Sequence, residues 1–511
     1  MPGAHQRELE LKFELTCERL RQLDQHPALS EMAVGQPNTR TLRSIYFDTP
    51  AQRLRGAGIS LRVRSDGNIW VQTIKCGFYV GDGVSNPFEL EATVDGPEPQ
   101  LGAISSGKLR RKLARLIDGS CLEPVFETVI KRIARRLHSA DADLELALDE
   151  GVIRAGTSER ALCEAELELK AGPPAALLEA ATRLFADAPI HLANQNKAEQ
   201  GYDLAMGRSS IAPRPAHSKP MPLDASATCR QAFVAVVAST ASQIRDNRRV
   251  VLETHDPEGA HQLRVGLRRL RSALRAFRPL IDNSALQDMD KHAQSLARIV
   301  GELRDAEVLI DDIYVPVAGP AGEHSGLRAL KDALLRHRAA KRVAARAALE
   351  GTHWSHLLLH VVLFPQSIAA CAPLDAPVEG FSCKAIDQIW KKTARKSKRI
   401  HSLSGEERHK MRKRLKQLRY TVEFFAPLYP ARAVKPFVKR LKRLQNVFGY
   451  VNDVVTARQV EDIASAHCHD DGHAQTAAGY ILGWHSSRAS LRWEEAQDDW
   501  HELKKAARFW R

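Results

Sequence analysis

Two pentads carry the chemistry that residue types and spacing suggest first: Glu8-Leu-Glu10-Leu-Lys12 near the N-terminus and Glu166-Leu-Glu168-Leu-Lys170 further along. Successive side chains of a β-strand point to opposite faces, so each pentad sets two carboxylates and an ammonium on one side and leucines on the other. A single pentad of this kind reads as a solvated surface strand. Two copies bracketing more alternation suit carboxylates that converge inside a closed sheet and hold hard cations. Arg62, Arg64, Lys75 and Arg132 are set among Glu8, Glu10, Glu145, Glu166 and Glu168. Cations for phosphate oxygens and carboxylates for divalent ions together suit a metal-bound oligophosphate.

The elements that must position these residues are strands. Ile59-Ser-Leu-Arg62-Val-Arg64, Trp70 to Lys75, Phe88-Glu89-Leu-Glu91, Leu144 to Leu148 and Glu164 to Glu168 alternate with period two, and Asp66-Gly67 and Asp82-Gly83 mark turns. Helical patterns intervene at 16–25, 108–117 and 175–186, which predicts an antiparallel sheet with helices attached. Glu89, Glu91 and Arg154 fit either face of their strands. Arg110, Arg111, Lys112, Arg135 and Arg136 read as solvated.

A chain of 511 residues exceeds one core and predicts two or more domains, and its 44% hydrophobic and 27% charged residues are a globular composition. Met1 to Arg7 lacks the apolar stretch of a secretory signal and no segment reaches a membrane span, so the expectation is a cytoplasmic protein with no membrane partner. Eight cysteines without paired spacing read as reduced, structural thiols. Residues 1–210 hold 26 Lys and Arg against 29 Asp and Glu, net −3, whereas 211–511 hold 49 against 32, net +17. The second part is built to meet a polyanion.

The E-x-E-x-K pentad, Tyr46-Phe-Asp48-Thr-Pro, Leu61-Arg62-Val-Arg64, Lys75, Leu-Glu145-Leu-Ala-Leu-Asp149, Glu164-x-Glu166-x-Glu168 and Asn-Lys197-Ala-Glu-Gln-Gly201-Tyr202 occur in this order across residues 5–206. This series resembles the CYTH, or triphosphate tunnel metalloenzyme, superfamily. The resemblance implies an eight-stranded antiparallel β tunnel of α+β class that hydrolyses or cyclises triphosphates with Mg²⁺ or Mn²⁺. It implies Glu8, Glu10, Glu166 and Glu168 as metal ligands, with Glu145 added, and Arg62, Arg64, Lys75, Arg132 and Lys197 as triphosphate-binding residues. Of the adjacent Lys131 and Arg132, alignment to the family pattern selects Arg132. Lys12 matches the motif lysine, which contacts phosphate or positions the attacking water; Glu8, Glu10 and Lys12 form the catalytic set.

Pro213, Pro215, Pro220 and Pro222 read as a semi-rigid linker over 209–222, between a domain at 1–208 and one at 223–511. Beyond it the period is helical at about 226–246, 257–277, 285–316, 325–350, 379–402, 405–426, 433–464 and 474–507, predicting an all-α domain. It contains a repeat with an offset of 148. His261, Arg264, Arg268 and Arg271 become His409, Arg412, Lys416 and Arg419, while Phe277 becomes Phe425, Gly301 becomes Gly449 and Asp305 becomes Asp453. Leu263, Leu267, Leu270 and Leu274 map onto Met411, Leu415, Leu418 and Val422. At about 100° per residue each basic set occupies one helix face beside its apolar stripe. Duplication predicts that the two faces share one basic surface or channel; Arg269 lies off the stripe and reads as solvated.

His261-Gln-Leu-Arg264 through Arg271, Leu303-Arg304-Asp305, His409 through Tyr420 and Leu444 through Asp453 resemble the CHAD domain, a conserved-histidine α-helical family, over 223–511. The resemblance implies binding of inorganic polyphosphate, a place at polyphosphate granules, and phosphate contact by His261, Arg264, Arg268, Arg271, His409, Arg412, Lys416 and Arg419. Asp305 and Asp453 are expected to orient arginines. A basic face that only keeps the domain soluble is the alternative, and the recurrence of His at one phase argues against it. His467-Cys468-His469 and His473 carry metal-binding residue types but lack the separated pairs of a structural zinc site.

Together these features predict a divalent-metal-dependent hydrolase of inorganic triphosphate or short polyphosphate, with the helical domain recruiting the polyanion. The alternatives are a polyphosphate-binding granule protein with little catalysis, and a CYTH-type adenylate cyclase or thiamine triphosphatase. Nucleic acid is the weaker partner, because the basic face lacks interleaved aromatics on which bases stack.

Overall fold

In a computed structural model the chain divides into two compact units, residues 1–211 with 358–367, and 212–357 with 368–511. The structure describes residues 9–511 apart from 68, 78–83, 86–87, 140, 187–188, 194, 208–211, 220, 222, 282, 322–324, 369–371, 397–399, 401 and 469–471. Glu8 therefore lies outside the described residues, as does His469.

The first unit contains strands β1 (Leu9–Glu14), β2 (Ala33–Asp48), β3 (Ile59–Asp66), β4 (Ile69–Cys76), β5 (Val84–Ser85), β6 (Phe88–Val94), β7 (Glu123–Ser139), β8 (Ala142–Ala155) and β9 (Ser158–Ala171). They form one antiparallel sheet in the order β5-β1-β9-β8-β7-β2-β3-β4-β6. Eight substantial strands match the expected number, and β5 adds a two-residue strip at one edge. The sheet curls. Lys12 on β1 and Lys75 on β4 are six steps apart in this order, about 28 Å in a flat sheet at the usual strand spacing, yet the Lys12 charge depresses the Lys75 pKa. Glu166 on β9 likewise acts on Arg64 of β3.

Helices α1 (Cys17–Asp24), α2 (Pro27–Met32), α3 (Arg53–Gly56), α4 (Gly107–Ile117), α5 (Pro174–Leu184) and α6 (Lys197–Ala205) accompany the sheet. Leu11 and Phe13, the odd positions of β1, are fully buried, and the Phe13 ring meets Phe185 just after α5 at 4.4 Å between centroids. The even positions face the other way, so alternation separates an apolar side under helices from a charged side. α6 approaches closely: a Cβ on Gly201 would lie 2.1 Å from the Phe126 ring on β7, so only glycine permits this seat. Asn196 and Glu199 form a reciprocal capping box that starts α6 at Lys197.

The cysteine expectation needs correction. Cys17 at the start of α1 and Cys163 on β9, 146 residues apart in sequence, are joined in a disulfide. Spacing along the chain does not show a pair that a sheet register makes. Cys76, Cys121, Cys229, Cys383 and Cys468 are free thiols.

The second unit contains α7 (Cys229–Glu253), α8 (Pro257–Phe277), α9 (Ser284–Val308), α10 (Val315–Ala321), α11 (Ser325–Leu349), residues 352–357 of α12 (Thr352–Ser367), α13 (Ala372–Asp375), α14 (Val378–Lys396), α15 (Gly405–Phe425), α16 (Ala431–Ala457), α17 (Gln459–His467) and α18 (Gly472–Lys505), with a π-helical turn at Leu309–Tyr314. The offset of 148 maps α8 onto α15 end to end, and α7, α9 and α11 closely onto α14, α16 and α18. Phe233 and Phe381 are a further equivalent pair. They join Phe277 and Phe425, whose centroids lie 5.9 Å apart, in one aromatic core where the halves meet. The Cys229 amide donates to Ala376 and the Val378 amide to Ala227, an exchange that fits a near-twofold relation. Both leucine stripes are buried as expected. The proline-rich stretch is more than a spacer: the Ala216 backbone donates to and accepts from the buried Asn247 side chain of α7.

Candidate functional site

Register brings the expected residues of the sheet together. Glu10 pairs with Glu168 and Lys12 with Glu166 across β1 and β9; Glu168 pairs with Glu145, and Glu164 with Asp149, across β9 and β8; Asp149 pairs with Arg132 across β8 and β7. All stand on one face. Lys12 donates to Glu166 Oε1 at 2.6 Å and lies 3.2 Å from Glu10. Lys197, delivered by the first turn of α6, lies 2.7 Å from Glu164, 2.8 Å from Glu166 and 2.9 Å from Asp149. Arg132 donates two hydrogen bonds to Asp149, at 2.7 and 2.6 Å, and one to Glu166 Oε2 at 2.6 Å. Arg132, and not the exposed Lys131, is the basic residue on this face.

These buried charges settle one another. Burial pushes the Glu166 carboxyl up, but Lys12, Lys197 and Arg132 outweigh it and hold the group well below the usual carboxylate range. Burial opposes the Lys197 charge, yet Glu164, Glu166 and Asp149 hold its pKa well above normal; Glu166 and Glu10 similarly raise Lys12 against burial. Asp149 is lowered because Lys197 and Arg132 overcome its desolvation.

Divalent cations suit a different part of this face. Glu10, Glu168 and Glu145 are cross-strand neighbours in one row, and like charges placed directly opposite are destabilising without a cation to share. Lys170 supplies one, 2.7 Å from Glu168 and 3.9 Å from Glu145. The oxygen donor set fits Mg²⁺ or Mn²⁺, although among the described residues no three such side chains already close on one point. Glu166, expected in the metal set, accepts from Lys12 and Lys197 at Oε1 and from Arg132 at Oε2.

The cationic wall is formed by β3 and β4. Lys75 lies 2.6 Å from Glu89, Arg62 3.5 Å from the same carboxylate, and Arg64 donates to Ser44 at 3.2 Å. Arg62 first and burial second lower the Arg64 pKa to about 10; burial and Arg62 together lower Lys75 despite Glu89. The buried Arg62 Nε has no hydrogen-bond partner among the described residues. Crowded, desolvated cations with an unpartnered donor concentrate positive charge on this wall.

Asp149, Glu164, Glu89 and Glu91 belong to the face without having been assigned a role from sequence. Glu91, itself exposed, accepts from Thr73 at 3.0 Å and Glu89 pairs with Lys75, which puts both on the face that carries Lys75. The signal was present in the alternation Glu145-x-Ala147-x-Asp149 and Glu164-x-Glu166. Arg154 points away, paired with Glu159 at 2.7 Å.

In the second unit the two basic stripes meet. Arg268 is influenced by Arg264 and Arg412, and Lys416 by Arg268, Arg412, Arg264 and Arg419, so residues from both repeats share one site on α8 and α15. Burial and then Arg264 bring Arg268 to about 9, and burial with four arginines drives Lys416 well below its usual value. Burial and Arg304 pull His261 to about 4. Arg264 donates to Asp305 at 2.6 Å and Arg412 lies 3.7 Å from Asp453, the same arrangement twice. The Nε atoms of Arg264, Arg412 and Arg419 are buried without a hydrogen-bond partner among the described residues. Arg271 is held by Asp290 and Gln294, and His409 meets Asn452 at 2.8 Å.

Arg269 corrects the expectation of a solvated side chain. It is 3% exposed, donates to Gln243 at 2.8 Å and lies over the Phe424 ring at 5.7 Å, tying α8 to α7 and α15. Cys468 is buried and directed to the Ala329 carbonyl, and His469 lies outside the described residues. No helix among the described residues is long and apolar enough to cross a membrane.

Residues 6–202 match the CYTH domain and residues 235–460 the CHAD domain. An inorganic triphosphatase of Haemophilus influenzae is 26% identical over 195 residues, which cover 38% of this chain and 54% of the relative. The chain thus spans about half the length of that curated relative. The solved CHAD domain of the plant Ricinus communis is 26% identical, covering 58% of this chain and 98% of its own at a TM-score of 0.50. A Hippeastrum protein described as having a dominant triphosphatase activity is 22% identical over 38% of this chain and 94% of its own, with a TM-score of 0.27, a likeness that carries no functional argument.

Proposed function

We propose that this chain, a CYTH domain followed by a CHAD domain, hydrolyses inorganic triphosphate or the ends of short polyphosphate, and that its helical domain binds the longer polyanion. The observation that carries this reading is the single buried face on which Lys12, Arg62, Arg64, Lys75, Arg132 and Lys197 stand among carboxylates. Phosphoryl transfer to water needs positioning and charge neutralisation more than covalent chemistry. Arg62, Arg64 and Lys75 bind the phosphate oxygens, exchanging Glu89 for the substrate. Arg132 and Lys197 fix Glu166, and Glu166 in turn holds Lys12 toward the phosphate or the attacking water. Glu10, Glu145 and Glu168, with Glu8, are the residues that would hold Mg²⁺ or Mn²⁺; the ion supplies charge neutralisation and a more acidic water.

In the helical domain His261, Arg264, Arg268 and Arg271 and their equivalents His409, Arg412, Lys416 and Arg419 contact polyphosphate. Their clustering, with the buried Nε donors of Arg264 and Arg412 left without a hydrogen-bond partner among the described residues, supports this over a merely solvated face. Phosphate release from triphosphate, ATP and thiamine triphosphate, each with Mg²⁺ and with Mn²⁺, tests the reading. Turnover is expected on triphosphate with either ion. Inactivity on triphosphate overturns the enzyme reading, and binding of long-chain polyphosphate without any turnover would favour a granule protein instead.

A further inference from the structure

We propose that Arg136, with Arg40, forms a subsite for the phosphates of a polyphosphate chain that reaches beyond those held by the cationic wall of the sheet. The inference rests on the hydrolase reading above and adds the place where a longer substrate lies. Residues directly opposite in a β ladder share a face. Arg40 stands opposite Arg132 across β2 and β7, and Arg136 stands opposite Glu145 across β7 and β8, so both belong to the face that carries Arg132, Glu145 and Glu168. The preceding residue fixes the direction independently: Arg135 points outward to Asp24 of α1, at 2.8 Å. Successive residues of a strand alternate, so Arg136 points to the charged side. Read from sequence as solvated, it is exposed, but on the face of the site.

Register also orders the cations along β7. Through β2, Arg62 is level with Phe126 and Arg64 with Thr128; Arg132 follows, and Arg136 lies four residues further, about 13 Å along the strand. Arg62 and Arg64 thus stand to one side of Arg132 and Arg136 to the other. Arg40 flanks the middle of this line and donates to Asn38 at 3.3 Å. Just past it β2 is bulged, with Val34 to Asn38 set against only Arg136 to Ala134 and Gly35 at φ +74°, and a bulge bends its strand and re-aims side chains at a rim. An exposed arginine ordinarily serves solubility. The outward arginines of β2, β7 and β8 are each neutralised: Arg43 by Glu127 at 2.8 Å, Arg135 by Asp24, and Arg154 by Glu159 at 2.7 Å. Arg136 has no hydrogen bond or ion pair among the described residues, although Glu145 stands directly across and lies 3.9 Å from Lys170. A guanidinium left open in line with Arg64 and Arg132 matches the next anion of a phosphate chain.

The test compares two substrates on the full chain. Initial rates on inorganic triphosphate and on size-fractionated short-chain polyphosphate are measured at fixed Mg²⁺ and ionic strength for wild type, R136A, R40A/R136A, R136K and R135A. The ratio of kcat/KM on polyphosphate to kcat/KM on triphosphate should fall about two- to fivefold in R136A and further in the double variant, mainly through KM. R136K should keep most of the ratio and R135A all of it. A ratio unchanged in R40A/R136A, or lowered equally in R135A, overturns the subsite; so does wild-type turnover confined to triphosphate. If wild type turns over neither substrate, the hydrolase reading fails and the subsite is judged by calorimetric affinities for the same two ligands in an R264A/R412A background. There R136A should lower the polyphosphate-to-triphosphate affinity ratio by the same factor, and an unchanged ratio overturns it.

Discussion

Glu10 and Glu166 illustrate how one strand face assigns different work to the same residue type. Glu10 stands in a row with Glu168 and Glu145, the row proposed to hold a divalent ion, while Glu166 accepts from Lys12, Lys197 and Arg132. Glu10→Gln should therefore weaken the response to Mg²⁺ and lower phosphate release by roughly 100-fold or more, read from initial rates across a metal titration. Undiminished turnover would remove Glu10 from the metal set. In the helical domain, burial and then Arg304, with Lys416 and Arg268, depress His261 while Glu258 opposes them, and burial with four arginines depresses Lys416. A bound polyanion favours the protonated form of both groups, so binding takes up protons. Free His261 is neutral above about 4, so affinity for long-chain polyphosphate should rise as pH falls from about 7 toward 4, by at most tenfold per pH unit for each proton taken up. Binding measured at constant ionic strength checks this; H261A should flatten the profile, and a level wild-type profile would contradict it.

Among the elements, α6 matters for what it delivers. Gly201 lets the helix lie against Phe126, and the capping box at Asn196 starts it so that Lys197 enters the carboxylate cluster. Gly201→Ala inserts a methyl into the ring and should cost about 1–3 kcal/mol by thermal melting. It should also lower triphosphate turnover by displacing Lys197, whereas an equally destabilising change elsewhere would leave activity of the folded fraction intact. In the second unit the comparable element is the pair of repeats meeting at Phe277 and Phe425. Truncating either ring to alanine opens a cavity in a fully buried core and should cost about 3–5 kcal/mol, measured by denaturant unfolding.

At the scale of the whole molecule, the carboxylate-rich sheet face and the basic helical face belong to separate compact units. An R264A/R412A double variant should lose affinity for long-chain polyphosphate while turnover of short triphosphate stays within about twofold of wild type, a comparison made on the full chain. Much of this organisation was legible beforehand. Period-two alternation set the faces of the strands, and the repeat at 148 residues set the basic and apolar stripes of α8 and α15, because both periods are local properties of the backbone. What the residue string by itself determined is therefore which side chains share a face, down to Leu263 and Leu415 inward and Arg264 and Arg412 together. Only the tertiary structure decided which faces meet: that Asp149 and Glu164 join Lys197, that Glu166 is claimed by cations, that Cys17 reaches Cys163, that Arg269 is buried, and that Arg40 stands across from Arg132. Those pairings depend on strand order and helix packing between residues far apart in the chain, and no local periodicity encodes the distance between them.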